Sequence, residues 1–409
     1  MGNNIHKIIV PIEIHQREYF AKLWLSCELA SRGHEVYIGD ITATDYCLND
    51  VQPDIYLSNL GRIDRDQTLH DSLFVAVLDA EGGIFRSVSD YKKRLESRRF
   101  DLIDAFFVWG KPQKRLLEEL DYEGDVIVTG NPRFALLQDE LNQVMCDGEN
   151  GSNSPTVVIT TNDVDDNSPQ FVSNVQTLMM EFPKVEFVIR PHPSEDWSKY
   201  AHMGKKIRNL RIEPEGAALC LTLGAAAVIH QNSTAGLEAC ISGTPTISHD
   251  PDGRISGDEI SAAREISFIA DDLGSLRDAL CNVLDGDFET SSDQPVPKYI
   301  DLSVNPVGRI AQYFDEVEVP NRKRINQSIP LEIKFYHSIN KLAPPVVSYN
   351  IRYLLTRLGV TNSANRFPFL SAQEVQKDVT SIAQQKKYDN IQINHVSGYE
   401  ALFVLRDVR

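Results

Sequence analysis

Two short stretches combine residue types that could do chemistry. In Val185-Glu186-Phe187-Val188-Ile189-Arg190-Pro191-His192-Pro193, an apolar, strand-like run ends in a guanidinium, an imidazole and two prolines. Prolines restrict the backbone on both sides of His192, so its ring is expected to be held at the carboxyl end of a strand. Arg190 and His192 can each donate to phosphate oxygens, and an imidazole near neutral pH can also pass a proton. A lone histidine after a strand is usually structural; the rigid flanks and the nearby cation favour a functional role.

The second stretch is Ala227-Val228-Ile229-His230-Gln231-Asn232-Ser233-Thr234-Ala235-Gly236-Leu237-Glu238-Ala239, followed by Gly243-Thr244-Pro245. A strand passes through a polar turn into a helix, whose free N–H groups and dipole favour an anion. Gln231, Asn232, Ser233 and Thr234 add amide and hydroxyl donors there, making a phosphate cradle without the lysine of a P-loop. Ser233 or Thr234 also reads as a plain helix N-cap. Glu238, one turn into the helix, either accepts from a ribose hydroxyl or caps.

In the first half of the chain, Leu78-Asp79-Ala80-Glu81-Gly82-Gly83 ends a strand with two carboxylates and two glycines. Glycines let the backbone approach a ligand, and a carboxylate there can take a proton from a hydroxyl. Glu81 is the first candidate for that base, with Asp79 behind it; the alternative is a glycine turn with solvated acids. Glu13, His15 and Arg17 follow the first strand and are rival or supporting residues. Gly130-Asn131-Pro132-Arg133 reads as a structural turn.

These residues need a scaffold. At 409 residues, with 42% hydrophobic residues, the chain can build two cores and exceeds what one usually fills. Strand-like runs alternate with helix-period segments, the pattern of βαβ units around parallel sheets. Strands are expected at 7–14, 35–39, 54–57, 73–78, 105–109 and 125–129, with helices at 17–31 and 112–120. Glycines 148 and 151 with Asn153 and Pro155 mark a polar linker. The alternation then restarts, with strands at 156–161, 185–189, 209–212, 227–230 and 245–247 and helices at 170–182, 234–241 and 273–284. The expectation is an α/β protein of two Rossmann-like, doubly wound domains, 1–140 and 155–320, facing a cleft, with an α+β appendage over 321–409. Ligands of such sheets bind beyond the carboxyl ends of the strands.

A formal net charge of -17 disfavours nucleic acid as a partner. Residues 321–360 run against that sign, with seven basic residues and one acidic. Aromatic and aliphatic residues interleave there, as in segments lying on an anionic membrane; a packed helical element is the alternative. The last stretch, from Ser371, reads as a helix and two strands. No run approaches the roughly 20 apolar residues of a membrane span, and the N-terminus lacks signal-peptide character, so a cytoplasmic location is expected, with peripheral contact at the inner face of the membrane possible through 321–360. The six cysteines are scattered with no C-x-x-C pair, which suggests buried free thiols and no metal site. No dinucleotide fingerprint, Walker motif or H-E-x-x-H occurs.

Together these residues resemble the GT-B glycosyltransferases, and more narrowly the bacterial surface carbohydrate biosynthesis proteins. The similar blocks are Pro11-Ile12-Glu13 with Arg17-Glu18, Glu81-Gly82-Gly83, Gly130-Asn131-Pro132-Arg133, Arg190-Pro191-His192-Pro193, and Asn232-Ser233-Thr234 with Glu238-Ala239, over residues 7–315. The His-Pro pair followed by a Ser/Thr-bearing helix start is similar to that of polysialyltransferases, capsule Kdo transferases and glycerophosphotransferases acting on cytidine nucleotides. The resemblance implies that His192 contacts or protonates a donor phosphate which Ser233 and Thr234 hold. The implied donor is a CMP-activated acidic sugar, Kdo or a nonulosonic acid, and the acceptor a surface glycan or lipid-linked chain, with neither cofactor nor metal. The rivals are an enzyme like the UDP-N-acetylglucosamine 2-epimerases, which share a Thr129-Gly130-Asn131-like block but carry Asp-Ser-Gly-Gly where this chain has Asn232-Ser233-Thr234-Ala235, and a non-catalytic scaffold.

Overall fold

The computed structural model describes residues 4–59, 73–80, 84–85, 88–96, 100–142, 146, 154–161, 169–192, 195–214, 218–253, 260–286, 300–319, 325, 371–397, 399 and 401–408. In chain order the elements are β1 (Lys7–Ile12), α1 (His15–Ser31), β2 (Glu35–Asp40), α2 (Ile41–Val51), β3 (Ile55–Ser58), β4 (Phe74–Leu78), β5 (Ile84–Phe85), α3 (Val88–Glu96), β6 (Ala105–Val108), α4 (Lys111–Glu119), β7 (Asp125–Val128) and α5 (Pro132–Gln138). Then follow β8 (Thr156–Thr160), α6 (Pro169–Glu181), β9 (Glu186–Arg190), α7 (Ser198–Lys206), β10 (Leu210–Ile212), α8 (Ala218–Thr222), β11 (Ala227–His230), α9 (Thr234–Ile241), β12 (Thr246–His249), β13 (Ile260–Ser261), α10 (Ala262–Glu265), β14 (Phe268–Ala270) and α11 (Leu273–Leu284). The chain ends with α12 (Pro306–Glu316), α13 (Ala372–Lys386), β15 (Ile391–His395) and β16 (Leu402–Asp407).

These elements form two compact units. Unit 1 comprises Met1–Gly82, Leu95–Leu136 and Asp301–Arg409; unit 2 comprises Gly83–Arg94 and Leu137–Ile300.

The sheet of unit 1 has the order β15-β16-β2-β1-β3-β4-β6-β7. From β2 to β7 all pairs are parallel, and the C-terminal hairpin adds β16 antiparallel to β2. Such strands are buried on both faces and read as continuous apolar runs, as Ile8, Ile9 and Val10 do. Ile9, Tyr37 and Tyr56 pack with Cys47 and Leu48 of α2. Their strand neighbours point to the other face, and α1 also packs on this sheet.

The C-terminal elements correct the expected boundaries. Residues 301–320 were expected in the second domain, yet α12 belongs to unit 1, where Asp315 accepts from Arg32 Nη1 at 2.7 Å and Tyr313 donates to Asp125 at 2.6 Å. The end of the chain is no separate appendage: Tyr19 donates to Asp378 of α13 at 2.9 Å, Trp24 Nε1 donates to Tyr388 at 3.1 Å, and β16 completes the sheet beside β2. The basic segment 321–360 lies outside the described residues except for Ile325, which is buried.

Unit 2 contains a six-stranded parallel sheet of order β10-β9-β8-β11-β12-β14 and a short antiparallel ribbon of β13 with β5. Alternation along each strand splits its core. Val157, Ile159, Phe187 and Ile229 face one side with Phe171 and Leu178 of α6 and Leu280 of α11. Val158, Val188 and Val228 face the other, against Ala239 of α9. The unit is therefore doubly wound. Cys146 and Cys220 form a disulfide with a Cα separation of 5.2 Å, a correction to the expected free thiols: the partners are 74 residues apart and only the fold brings them within bridging range. Cys27, Cys47, Cys240 and Cys281 are free.

Candidate functional site

In an open parallel sheet, the crevice for a ligand opens where the strand order reverses direction. Unit 2 reverses between β8 and β11, since β9 and β10 extend to one side of β8 and β12 and β14 to the other. At the carboxyl ends of these strands, Thr160 Oγ1 lies 2.9 Å from Ser233 Oγ, closing the switch point with two hydroxyls. Ser233 is also the N-cap of α9, its Oγ accepting from the N–H of Gly236 at 3.2 Å. Helix geometry leaves the N–H groups of Thr234 and Ala235 without an intrahelical acceptor. Two hydroxyls and the positive end of a helix dipole thus converge on one spot, which suits an anion.

The turn before this helix is fixed from below. His230 is fully buried, and its Nδ1 accepts from the N–H of Asn232 at 3.2 Å. That assigns the proton to Nε2, which lies 3.0 Å from Ser267 Oγ. Ser267 Oγ in turn donates to the carbonyl of Ala263 and lies 2.9 Å from Thr246 Oγ1. Burial, with help from Arg264, lowers the His230 pKa to about 3, so the ring is neutral in the folded protein. A Cβ on Gly236 would stand 2.6 Å from His230 Cγ and Nε2, so the ring occupies the space that a larger residue would need. Asn232 takes φ +110°, a conformation costing a non-glycine residue about 1–3 kcal/mol and typical of ligand-binding turns. Gln231 and Glu238 are buried, whereas Asn232, Ser233 and Thr234 are half-buried.

One strand away, β9 delivers Arg190 and His192. Arg190 pairs in register with Thr160, but its side chain is buried and Nη1 donates to the carbonyl of Glu213 at 2.9 Å, bracing the end of β10. Burial lowers its pKa against the opposing pull of Glu213. His192 is exposed. Its backbone is held by a residue that sequence reasoning missed: Glu195, 6% exposed, accepts from the His192 N–H at 3.3 Å, from the Thr161 hydroxyl, and from the Tyr200 hydroxyl at 2.8 Å. The His192 N–H is shared with Thr161 Oγ1 at 3.1 Å, and the His192 carbonyl accepts from the Glu195 N–H at 2.9 Å. A buried carboxylate therefore fixes the loop that carries an exposed imidazole. The motif gave no direct signal for this, because an acid three residues after a histidine is commonplace.

Unit 1 has its own reversal, between β1 and β3. There Lys22 Nζ, buried in α1, donates to the Pro11 carbonyl at 2.6 Å, to Glu18 at 2.7 Å and to Asn59 at 3.0 Å. Burial alone would raise the Glu18 pKa, but Lys22 and Arg17 hold it down at about 2. Asn59 Nδ2 reaches Glu13 at 3.4 Å and the Glu13 N–H donates to Glu18 at 3.1 Å, so the half-buried Glu13 is oriented by this network. Arg17 pairs with Glu18 at 3.2 Å. His15 stacks on Tyr19 with centroids 4.5 Å apart, and burial lowers its pKa to about 4. Glu13, Arg17 and Glu18 come together here with Lys22 and Asn59, two residues that sequence reasoning missed. Asp79 is buried, and its carbonyl accepts from Trp109 Nε1 at 2.7 Å and from Asn131 Nδ2 at 3.2 Å. Glu81, Gly82 and Gly83 lie outside the described residues. Gly130 has φ +72° and a Cβ there would lie 2.6 Å from the Asp301 carbonyl, so the turn requires glycine. Among the described residues, no group of three or more His, Cys, Asp or Glu side chains could hold a metal ion, and no helix is long and apolar enough to cross a membrane.

No protein-family model and no curated protein matches the sequence. Solved structures do match. The Neisseria meningitidis UDP-GlcNAc 2-epimerase bound to UDP-GlcNAc superposes with a TM-score of 0.53 at 15% identity, over 75% of this chain and 99% of that one. The S. aureus MnaA structure with UDP gives 0.53 at 13%, over 78% and 100%. The wall teichoic acid polymerase TagF gives 0.54 at 10%, over 75% and 88%. The shared fold is the GT-B type. At these identities the likeness extends to the fold alone, and the two doubly wound units described above are its two halves.

Proposed function

We propose that the protein is an enzyme of group transfer that holds the phosphate of a nucleotide-activated sugar at the β8/β11 switch point of unit 2 and moves the glycosyl group to a surface glycan or lipid-linked acceptor. The observation that carries this reading is the meeting of Thr160 and Ser233 across the strand reversal, above the free N–H groups of α9 and one strand from the exposed His192. Fixed donors aimed at a phosphate stabilise the charge that develops as a nucleotide leaves, and they act without reorganisation. Ser233, Thr234 and the helix start hold the phosphate, with Asn232 and Gln231 bordering it. His192, on a loop locked by Glu195, contacts or protonates it. Glu238 is assigned to the ribose. Arg190, committed to the Glu213 carbonyl, acts by positioning β9 and β10 and adds its positive charge at a distance. On the acceptor side, Glu81 is assigned as base with Asp79 behind it, and Glu13, His15 and Arg17 as supports. No metal enters this scheme.

The finer reading takes a CMP-activated acidic sugar as donor. Its support is the sequence resemblance around His192 and Ser233. The fold likeness to UDP-GlcNAc 2-epimerases favours a second reading, inversion of a sugar that stays on its nucleotide. Thermal shifts of the full chain with CMP, CDP and UDP decide the base, because a bound nucleotide stabilises by RT ln(1 + [L]/Kd). Stabilisation by the cytidine nucleotides alone supports the finer reading, and stabilisation by UDP alone overturns it. Product analysis separates a released nucleotide from an epimerised sugar. In either case His192→Ala should abolish turnover while leaving the melting temperature within 1–2 °C, roughly the effect of a neutral surface change.

A further inference from the structure

The last strand of the unit 1 sheet, β7, lies beside a cavity of about 470 Å³. Lys111, Lys114, Arg115 and Glu118 of α4 line it, at the i, i+3, i+4, i+7 spacing that puts four side chains on one helix face. Asp301 and Arg309, from the segment that leads into and forms α12, line the facing side. Four cations against two acids give the cavity a charge of about +2 in a protein whose net charge is -17. The two acids are engaged. Glu118 lies 3.9 Å from Lys114. Asp301 accepts from the Ser303 N–H at 3.0 Å and from its hydroxyl; these bonds first, then Lys111 and Arg309, hold its pKa below the usual carboxylate range. Among the described residues, no carboxylate forms an ion pair with Lys111, Arg115 or Arg309. In addition, α4 begins at Gly110, an extended N-cap with no side chain to satisfy the first-turn N–H groups. The Asp301 N–H, bonded to the Trp109 carbonyl at 2.7 Å, ties the α12 segment to that same helix start.

We propose that this cavity is a second anion site, separate from the unit 2 switch point, that binds a phosphate or pyrophosphate group on a sugar or a lipid. A dianion matches the surplus of two positive charges, whereas the single charge of a sugar carboxylate leaves one uncompensated. The volume lies within the ~300–1,000 Å³ of small-molecule sites, enough for a diphosphate with part of the group it carries. Arg115 and Arg309 are exposed guanidiniums, one from α4 and one from α12, suited to grip phosphate oxygens in pairs.

The test uses the full chain, the double variant Arg115→Gln/Arg309→Gln, and His192→Ala. Titration calorimetry with pyrophosphate and with glucose 1-phosphate probes a soluble source, with glucuronate as the singly charged comparison, and sedimentation with phosphatidylcholine vesicles containing phosphatidate probes a lipid one. Loss of one charge-assisted contact should weaken binding about tenfold, so the double variant should raise Kd roughly a hundredfold, with an unchanged melting curve because both side chains are exposed. His192→Ala should bind as the wild type does, which separates this site from the one in unit 2. Retention of vesicle binding only, or of soluble binding only, by the wild type identifies the source. Equal binding by the double variant and the wild type, loss of binding in His192→Ala alone, tighter binding of glucuronate than of the phosphates, or no binding of any probe overturns the proposal.

Discussion

Replacing Glu195 should uncouple the His192 loop from its sheet. The carboxylate accepts three hydrogen bonds, from the Thr161 hydroxyl, the Tyr200 hydroxyl and the His192 N–H. Burial, followed by the bond to Glu195, pushes the Tyr200 pKa well up, so that hydroxyl remains a donor at any ordinary pH. In Glu195→Ala two buried hydroxyls lose a charged acceptor. Hydrogen bonds to charged groups are worth about 1.5–3 kcal/mol each, so the loss should come to roughly 3–6 kcal/mol, the His192 N–H still having Thr161 Oγ1. Glu195→Gln keeps the volume and one carbonyl oxygen, and hydroxyls can accept from its NH₂, so it should cost only about 1 kcal/mol. Urea unfolding reads the stability. The functional readout is turnover: a group displaced by about 1 Å can cost a hundredfold in rate, so kcat should fall in the alanine variant and largely return in the glutamine variant. An alanine variant within 1 kcal/mol of wild type and with its full kcat would refute the assignment of Glu195 as the anchor of this loop.

Two further outcomes follow from His230. Gly236→Ala should lower the melting temperature by roughly 2–10 °C, because the new methyl would meet the imidazole and overpacking costs about 1–3 kcal/mol; helix propensity alone predicts the opposite sign, up to about 1 kcal/mol of stabilisation, so an unchanged or raised value would remove the steric argument. The pKa of His230 is about 3 in the folded chain and near the ordinary 6.5 when unfolded, so the unfolded state binds the extra proton between those values. Its contribution is complete above about pH 6.5 and is lost as pH falls toward 3, with a slope of up to ~1.4 kcal/mol per pH unit. His230→Gln should flatten the stability profile between pH 6.5 and 4.5, and equal slopes in urea unfolding would show that the ring is not held neutral.

Much of the scaffold was legible because its signals are local. Buried parallel strands such as Ala227–His230 announce themselves as short apolar runs, and the expected bounds of that strand, α9 and α11 coincide with the structure. Helices with mixed faces were harder: α2 carries Thr42, Thr44, Asp45 and Asn49 among its apolar residues, and α12 begins with Pro306 and Val307 after an irregular stretch, so neither was expected. The return of α12 to unit 1 and the docking of β16 on β2 are contacts between residues some 280 and 370 apart in sequence. No window along the chain contains that information. At the site the same division holds. The placement of Arg190, His192 and Ser233 near strand ends was readable, but sequence could not say that Arg190 turns toward Glu213 while His192 faces solvent. Nor could it show that Thr160 from β8 would complete the Ser233 turn. The order of strands decides that, and strand order is a property of topology.

Two histidines of unit 2, His230 and His192, stand in opposite surroundings at the carboxyl edge of one sheet. His230 precedes the turn and is committed on both nitrogens, Nδ1 accepting from Asn232 and Nε2 directed to Ser267. Because an acceptor at Nδ1 exists only in the neutral ring, protonation would remove the bond that offsets the strained φ of Asn232. Burial is thus what makes the turn rigid: by penalising the charged form it keeps the acceptor in place. His192 has the reverse arrangement, with its backbone immobilised by Glu195 and Thr161 and its ring exposed. The isolated ring holds a backbone, and the exposed ring is open to solvent and solutes. The strand reversal places Ser233, three residues after the isolated histidine, against Thr160 at 2.9 Å, while Thr161 joins the next strand's loop. Rigidity built around His230 and Glu195 therefore reaches the same pair of adjacent residues, Thr160 and Thr161, from opposite sides.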